Sequence, residues 1–161
     1  MVSPELLSRY PFFQFLTNPQ LTAFAALAEE ATICKGDDIL KTGTPAEALY
    51  ILLAGRAELH YTIEDPNDAL RQREFFITDI TPGEIFGISA MLGEPLYNGT
   101  VRAASDCRVI KLSAARLNDL AETDCRLGYG LMREIARAAL ERLHYTRLQL
   151  ASAEVEGSDT Y

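Results

Sequence analysis

"KGDDILKTGTPAEALYILLAGRAEL", residues 35–59, decides the fold. Gly36, Gly43 and Gly55 cut it into short β-rich runs, and the "DPND" turn at 65–68 closes the next one. In "AGRAELHYTI", Ala57, Leu59 and Tyr61 alternate with Arg56, Glu58 and His60, the pattern of a half-buried strand. "EFFITDI" (74–80) predicts another strand, and "TVRAASDCRVIKLS" (100–113) two more around a Ser-Asp turn. Short strands at regular spacing with glycine punctuation predict a barrel or sandwich.

Both flanks read as helical. Residues 1–30 form a helical entry, in which Asn18 before Pro19 predicts a cap and Leu21, Phe24, Ala25 and Ala28 recur at helical spacing. Helical spacing resumes at Ser113, a cap for "SAARLNDLAE", and a long helix follows from about Asp124 to Leu150. On it Met132, Ala136, Ala139, Leu143, Thr146 and Leu150 form a heptad seam, with Leu127, Leu131, Ile135 and Ala138 as a second stripe. One stripe can pack on the strands and leave the seam for a partner. Gly128 and Gly130 each cost about 1 kcal/mol against Ala in a helix, which close backbone packing or a later helix start would explain. The tail 151–161 has little apolar content and is expected to be mobile.

The 161 residues fit one domain, with 48% apolar and 24% charged residues, ordinary values for a packed globular chain. A net charge of −8 disfavours a nucleic-acid footprint, which needs a basic face. Cys34, Cys107 and Cys125 are odd in number and widely spaced, so neither a disulfide framework nor a metal site is indicated. Neither His60 nor His144 stands in ligand spacing with a second histidine or a close carboxylate, so no metal is expected. There is no P-loop, H-E-x-x-H or nucleophile elbow, and an enzyme is not expected. With no membrane span or signal peptide in the sequence, a cytoplasmic location is expected.

The order of these parts resembles the cyclic-nucleotide-binding domain of the catabolite activator and FNR-type regulators. "PFF" at 11–13, the pattern of residues 35–59, "PGEIFGISAML" (82–92) and "TVRAASDCRVIKL" (100–112) carry the likeness, which spans about residues 8–150. It implies an α+β fold: an antiparallel, jelly-roll-like β-roll over 31–112, its binding cassette at 83–101, N-terminal helices before it and C-terminal helices over 113–150. It also implies a homodimer through the seam, at Met132, Ala136, Ala139, Leu143 and Leu150. The helix-turn-helix of full-length regulators would follow the long helix. Only eleven residues remain after Leu150, so direct DNA binding is not expected unless the chain is a fragment.

Two departures from the family pattern bear on function. The Glu that takes the ribose hydroxyl falls on Ile88, and the Arg that grips the cyclic phosphate falls on Tyr97. A charged hydrogen bond contributes about 1.5–3 kcal/mol net, or roughly ten- to a hundredfold in affinity, so tight capture of cyclic AMP in the usual pose is not expected. A short helix starting near Gly87 would still present the backbone N–H groups of Ile88, Ser89 and Ala90. Ser89, Thr100 and Asn98 add polar groups, Tyr97 an aromatic face with a polar tip, and Thr146 a contact from the long helix. Arg133, Arg137, Arg142 and Arg147 read as a solvated helix face. No cofactor is certain, and a cyclic nucleotide or other small anion is the candidate. The expected function is a sensory or regulatory module with an altered pocket, signalling through its dimer helix. The alternatives are a ligand-free dimeric protein acting on a partner in trans, and a cyclic AMP binder in an unusual pose.

Overall fold

The computed structural model describes residues 1–158, Ala69 by its backbone alone. Eight strands form two four-stranded antiparallel sheets. The first is ordered β1 (Ala28–Ile33), β8 (Cys107–Ser113), β3 (Ala48–Ala54), β6 (Ile85–Phe86). The second is ordered β2 (Asp38–Leu40), β7 (Thr100–Ala103), β4 (Ala57–Asp65), β5 (Asp68–Ile80). This is the expected antiparallel roll, with helices before it and a long helix after it.

Burial follows the sequence pattern. The run "ALYILLA" of β3 sits between two neighbours in its sheet, and Leu49, Ile51 and Leu52 are completely buried. On β8 Cys107, Val109, Ile110 and Leu112 are buried, whereas Arg108 and Lys111 are exposed. On β4 the expected alternation holds for Ala57 and Leu59. It fails at Tyr61, which is 48% exposed because β4 and β5 run on past the core as a hairpin and a bulge falls between Leu59 and His60.

The entry segment contains α1 (Pro4–Leu7), a 3-10 turn at Pro11–Phe13 and α2 (Asn18–Leu27). Its strand partner takes the chain over earlier than residue 31, since Ala28 already pairs with Leu112. The cap of α2 lies at Thr17, one residue before the expected Asn18, and the Thr17 N–H donates to Gln20 Oε1 at 2.9 Å. Phe12 packs edge-to-face on Phe13 and Phe15, with ring centroids 5.0 and 5.9 Å apart.

Ser113 caps α3 (Ala114–Thr123), and α4 spans Cys125–Ser158, about 50 Å at the usual rise per residue. Asp124 Oδ1 accepts from the N–H groups of Arg126 and Leu127, and Gln20 Nε2 donates to its Oδ2 at 2.7 Å. These donors hold the Asp124 carboxyl below its usual range, the Gln20 bond most of all. Close packing explains the two glycines. A Cβ on Gly130 would stand 2.3 Å from the Phe15 ring, and one on Gly128 2.8 Å from the Ala121 carbonyl.

The helix does not stop at Leu150. Residues 151–156 contain no glycine or proline, and the helical backbone continues through the first breaker, Gly157, to Ser158. Residues 159–161 of the expected mobile tail lie outside the described residues. Among the described residues no helix is long and apolar enough to cross a membrane.

Candidate functional site

The loop joining β6 to β7 is built against the start of β3. The chain leaves β6 at Gly87, whose φ of +74° suits glycine, and a Cβ there would meet the Ala48 carbonyl oxygen at 2.9 Å. A 3-10 turn, Ile88–Leu92, follows and ends at Gly93, also in the left-handed region. The first N–H groups of such a turn have no acceptor within it. Ala90 is the first to find one, the Gly87 carbonyl at 3.2 Å. Ile88 packs on the core, and Ala90 and Met91 are buried.

The returning segment is fastened to residues 43–46. Gly43 N–H donates to the Tyr97 carbonyl, Tyr97 N–H to Thr44 and Ala46 N–H to Pro95, all at 2.9–3.0 Å. Tyr97 then turns its side chain inward and is only 6% exposed. Its hydroxyl donates to the Ala48 carbonyl at 2.6 Å and accepts from the Ala48 N–H at 3.1 Å. β6 is too short to reach Ala48, since its last residue, Phe86, pairs with Tyr50. The phenol therefore serves the main-chain groups that a residue two positions further along a longer strand, opposite Ala48, would have served. Burial pushes the Tyr97 phenol pKa up, against the lowering effect of its backbone bonds.

This arrangement places two of the expected site residues within the fold's own bonding. The polar tip of Tyr97 is not presented to a ligand, because both its bonding directions are occupied within the core. Thr100 is likewise engaged. It is 2% exposed, its hydroxyl accepting from the Thr42 N–H at 3.1 Å and meeting the Thr42 hydroxyl at 3.2 Å. Half-buried Ser89 and exposed Asn98 keep their side chains outside this bonding.

α4 divides into two parts. Leu127, Leu131 and Ile135 are buried and Ala138 packs on the core, whereas Ala136, Ala139, Leu143, Thr146 and Leu150 of the seam are exposed. Met132 is half-buried against the core. The Thr146 hydroxyl donates to the Arg142 carbonyl one turn back, at 2.9 Å, so it is not held out toward the cassette.

Arg142 does not belong to a solvated face. It is partly buried, and its guanidinium donates to the Ile85 carbonyl, two residues before Gly87. Burial pulls its pKa below the usual guanidinium range, against the nearby Glu84 and Glu141 charges. Gln149 Nε2 donates to the Phe76 and Ile77 carbonyls at 2.8 Å each. Both residues continue the spacing of the buried stripe from Ile135, the signal that could have found them. His60 also has a carboxylate neighbour that the sequence reading overlooked, with Glu58 Oε2 at 3.2 Å from its Nε2. No group of three or more His, Cys, Asp or Glu among the described residues could hold a metal ion.

An antiparallel roll with a glycine-led loop fastened over one end, and a long helix crossing beside it, defines a ligand-cradle module of the regulatory kind. The chain belongs to the family of cyclic nucleotide-binding domains, which it matches over residues 30–124. It is similar to a protein from Geobacter metallireducens provisionally named for cyclic-nucleotide binding. The two share 35% identity and a TM-score of 0.75, over 89% of this chain and 100% of that one. The catabolite activator protein of Thermus thermophilus shares the fold at 22% identity and a TM-score of 0.68, over 89% of this chain and 63% of that one. A protein from Rhodopseudomonas palustris, provisionally named a potassium channel protein, is 28% identical over 120 residues. That match covers 74% of this chain and 27% of the relative's length.

Proposed function

We propose that this chain is a non-enzymatic regulatory module whose cradle takes a small polar ligand or anion, not cyclic AMP in the family's usual pose. Its output runs through α4, paired along the outward seam with a second copy. The observation that carries this reading is the Tyr97 hydroxyl. At the place where the resemblance puts a phosphate-gripping Arg, it is bonded to both main-chain groups of Ala48. The groups left for a ligand are the N–H groups of Ile88 and Ser89 and the side chains of Ser89 and Asn98. A set of neutral donors binds an anion more weakly than a guanidinium fork does.

A second reading, a ligand-free dimer acting on a partner in trans, is favoured by a specific observation. Tyr97 and Thr100 both spend their hydroxyls inside the fold. Thermal-shift titration with cyclic AMP, cyclic GMP, cyclic dinucleotides and inorganic phosphate separates the two, because a ligand of the folded state raises the melting temperature by mass action. A shift with a ligand other than cyclic AMP supports the first reading, and no shift with any supports the second. Restoring the family pair by Ile88→Glu with Tyr97→Arg is expected to raise cyclic AMP affinity at least about tenfold. Micromolar or tighter cyclic AMP binding by the unaltered chain, not improved by that pair, refutes both.

A further inference from the structure

A groove of about 390 Å³ lies between the N-terminal aromatic turn and α4, and of the cassette only its first residues, Gly83, Glu84 and Ile85, line it. Phe12 and Phe15 form one wall and Tyr145 stands on the other, while Glu84, Glu141 and Arg142 add charge to its lining. The volume suits a small organic molecule. Two further carboxylates on the lining are already neutralised, Asp79 by Arg56 at 2.8 Å and Glu134 by Arg137 at 2.7 Å.

What remains is a partly buried cation and two carboxylates that, among the described residues, are not ion-paired. Arg142 uses its guanidinium on the Ile85 carbonyl and, among the described residues, has no carboxylate at ion-pair distance. A guanidinium has five donors and is best matched by a planar carboxylate. Glu84 takes the Thr81 N–H and hydroxyl on one oxygen, leaving the other, and among the described residues Glu141 is in no ion pair. A plain anion would satisfy Arg142 but be repelled by Glu84 and Glu141. A plain cation would meet the carboxylates and be repelled by Arg142. A molecule carrying both charges close together satisfies both, and the aromatic walls favour an apolar body.

We propose that this groove binds a free α-amino acid with an apolar or aromatic side chain, its carboxylate on Arg142 and its ammonium on Glu141 and Glu84. The site is independent of whatever the cradle holds. It touches the cradle through one element, since Arg142 also contacts Ile85 at the end of β6. Occupancy of the groove would therefore act on the strand that leads into the Gly87 loop.

Isothermal titration calorimetry of the full chain tests this with L-phenylalanine, L-leucine and L-tyrosine, each beside its N-acetyl derivative and its amide. Saturable binding is expected for at least one free amino acid. Blocking either end should weaken it at least about tenfold, the scale of one charged hydrogen bond. Arg142→Gln should do the same. Because that change also removes the contact with Ile85, Glu141→Gln carries the test at a position that makes no such contact. The absence of saturable binding by all three amino acids overturns the proposal. So does binding that withstands the block of either end, or that is unchanged in Glu141→Gln.

Discussion

Replacing Tyr97 by Phe isolates the bond that closes the cradle. The ring, buried to all but 6%, is kept, so no cavity opens, and only the hydroxyl is lost. Its loss leaves the N–H and carbonyl of Ala48 without the partner they have at 3.1 and 2.6 Å. A buried group deprived of its hydrogen bond costs about 1–3 kcal/mol, so the two together should destabilise the fold by about 2–6 kcal/mol. For a chain of this length, each kcal/mol lowers the melting temperature by roughly 2–4 °C, giving an expected fall of about 4–24 °C. Urea and thermal unfolding followed by circular dichroism measure the effect. Amide exchange localises it, since the Ala48 N–H should lose protection. Tyr50→Phe is the control, because that ring stacks on Phe86 with centroids 5.3 Å apart and keeps the stacking without its hydroxyl. If Tyr97→Phe unfolds within about 0.5 kcal/mol of the native chain, the range of an ordinary surface change, the phenol does not hold the loop and the reading of the cradle fails.

Two other outcomes are expected. Leu143→Glu with Leu150→Glu, at positions 43% and 63% exposed, should turn a dimer into a monomer by light scattering while leaving the monomer's unfolding nearly unchanged; a dimer that survives refutes the seam. The Tyr50 phenol is pushed up to about 12, chiefly by burial and then by the neighbouring Tyr97 and Glu47. Its folded-state pKa lies above the unfolded value, so its share of stability is fully present below about pH 10 and lost as the pH rises toward about 12. Tyr50→Phe should flatten that stretch of the curve of unfolding free energy against pH, and an unchanged alkaline limb refutes it.

The roll was legible because its strands carry simple signals. The glycines between residues 36 and 55 mark its turns, the apolar run of β3 marks its centre, and Ser113 caps α3 as read. The cradle was legible in position but not in bonding. Nothing in the spacing of "GEPLYNGT" reveals that β6 ends at Phe86 and leaves Ala48 for a phenol to satisfy. That fact depends on the length of a strand elsewhere in the sheet, a tertiary property. The helix presents the opposite case. Leu127, Leu131, Ile135 and Ala138 define a buried line, and extending it by the same steps reaches Arg142 and Gln149. Their polarity hid a periodicity that was present all along, because a long polar side chain can lie on a protein surface and still reach a carbonyl.

That extended line changes how α4 is held. Up to Ile135 the helix is attached by completely or almost completely buried leucine and isoleucine side chains. Beyond Ala138, the attachment shown by hydrogen bonds to the roll consists of Arg142 on Ile85 and Gln149 on Phe76 and Ile77. Buried apolar groups are lost only with the core itself. Hydrogen bonds to main-chain carbonyls at a partly exposed surface exchange with water at a net difference of about 0.5–1.5 kcal/mol each. The two ends of one helix therefore differ in how easily they can leave the roll. The loosely held end carries Leu143 and Leu150, outward, and Arg142, which touches the strand leading to Gly87. A shift of that strand by a ligand, or capture of the seam by a second copy, would act on the same few hydrogen bonds. If the roll takes a ligand and α4 pairs with a second copy, as proposed, the two events would be coupled through Arg142 and Gln149.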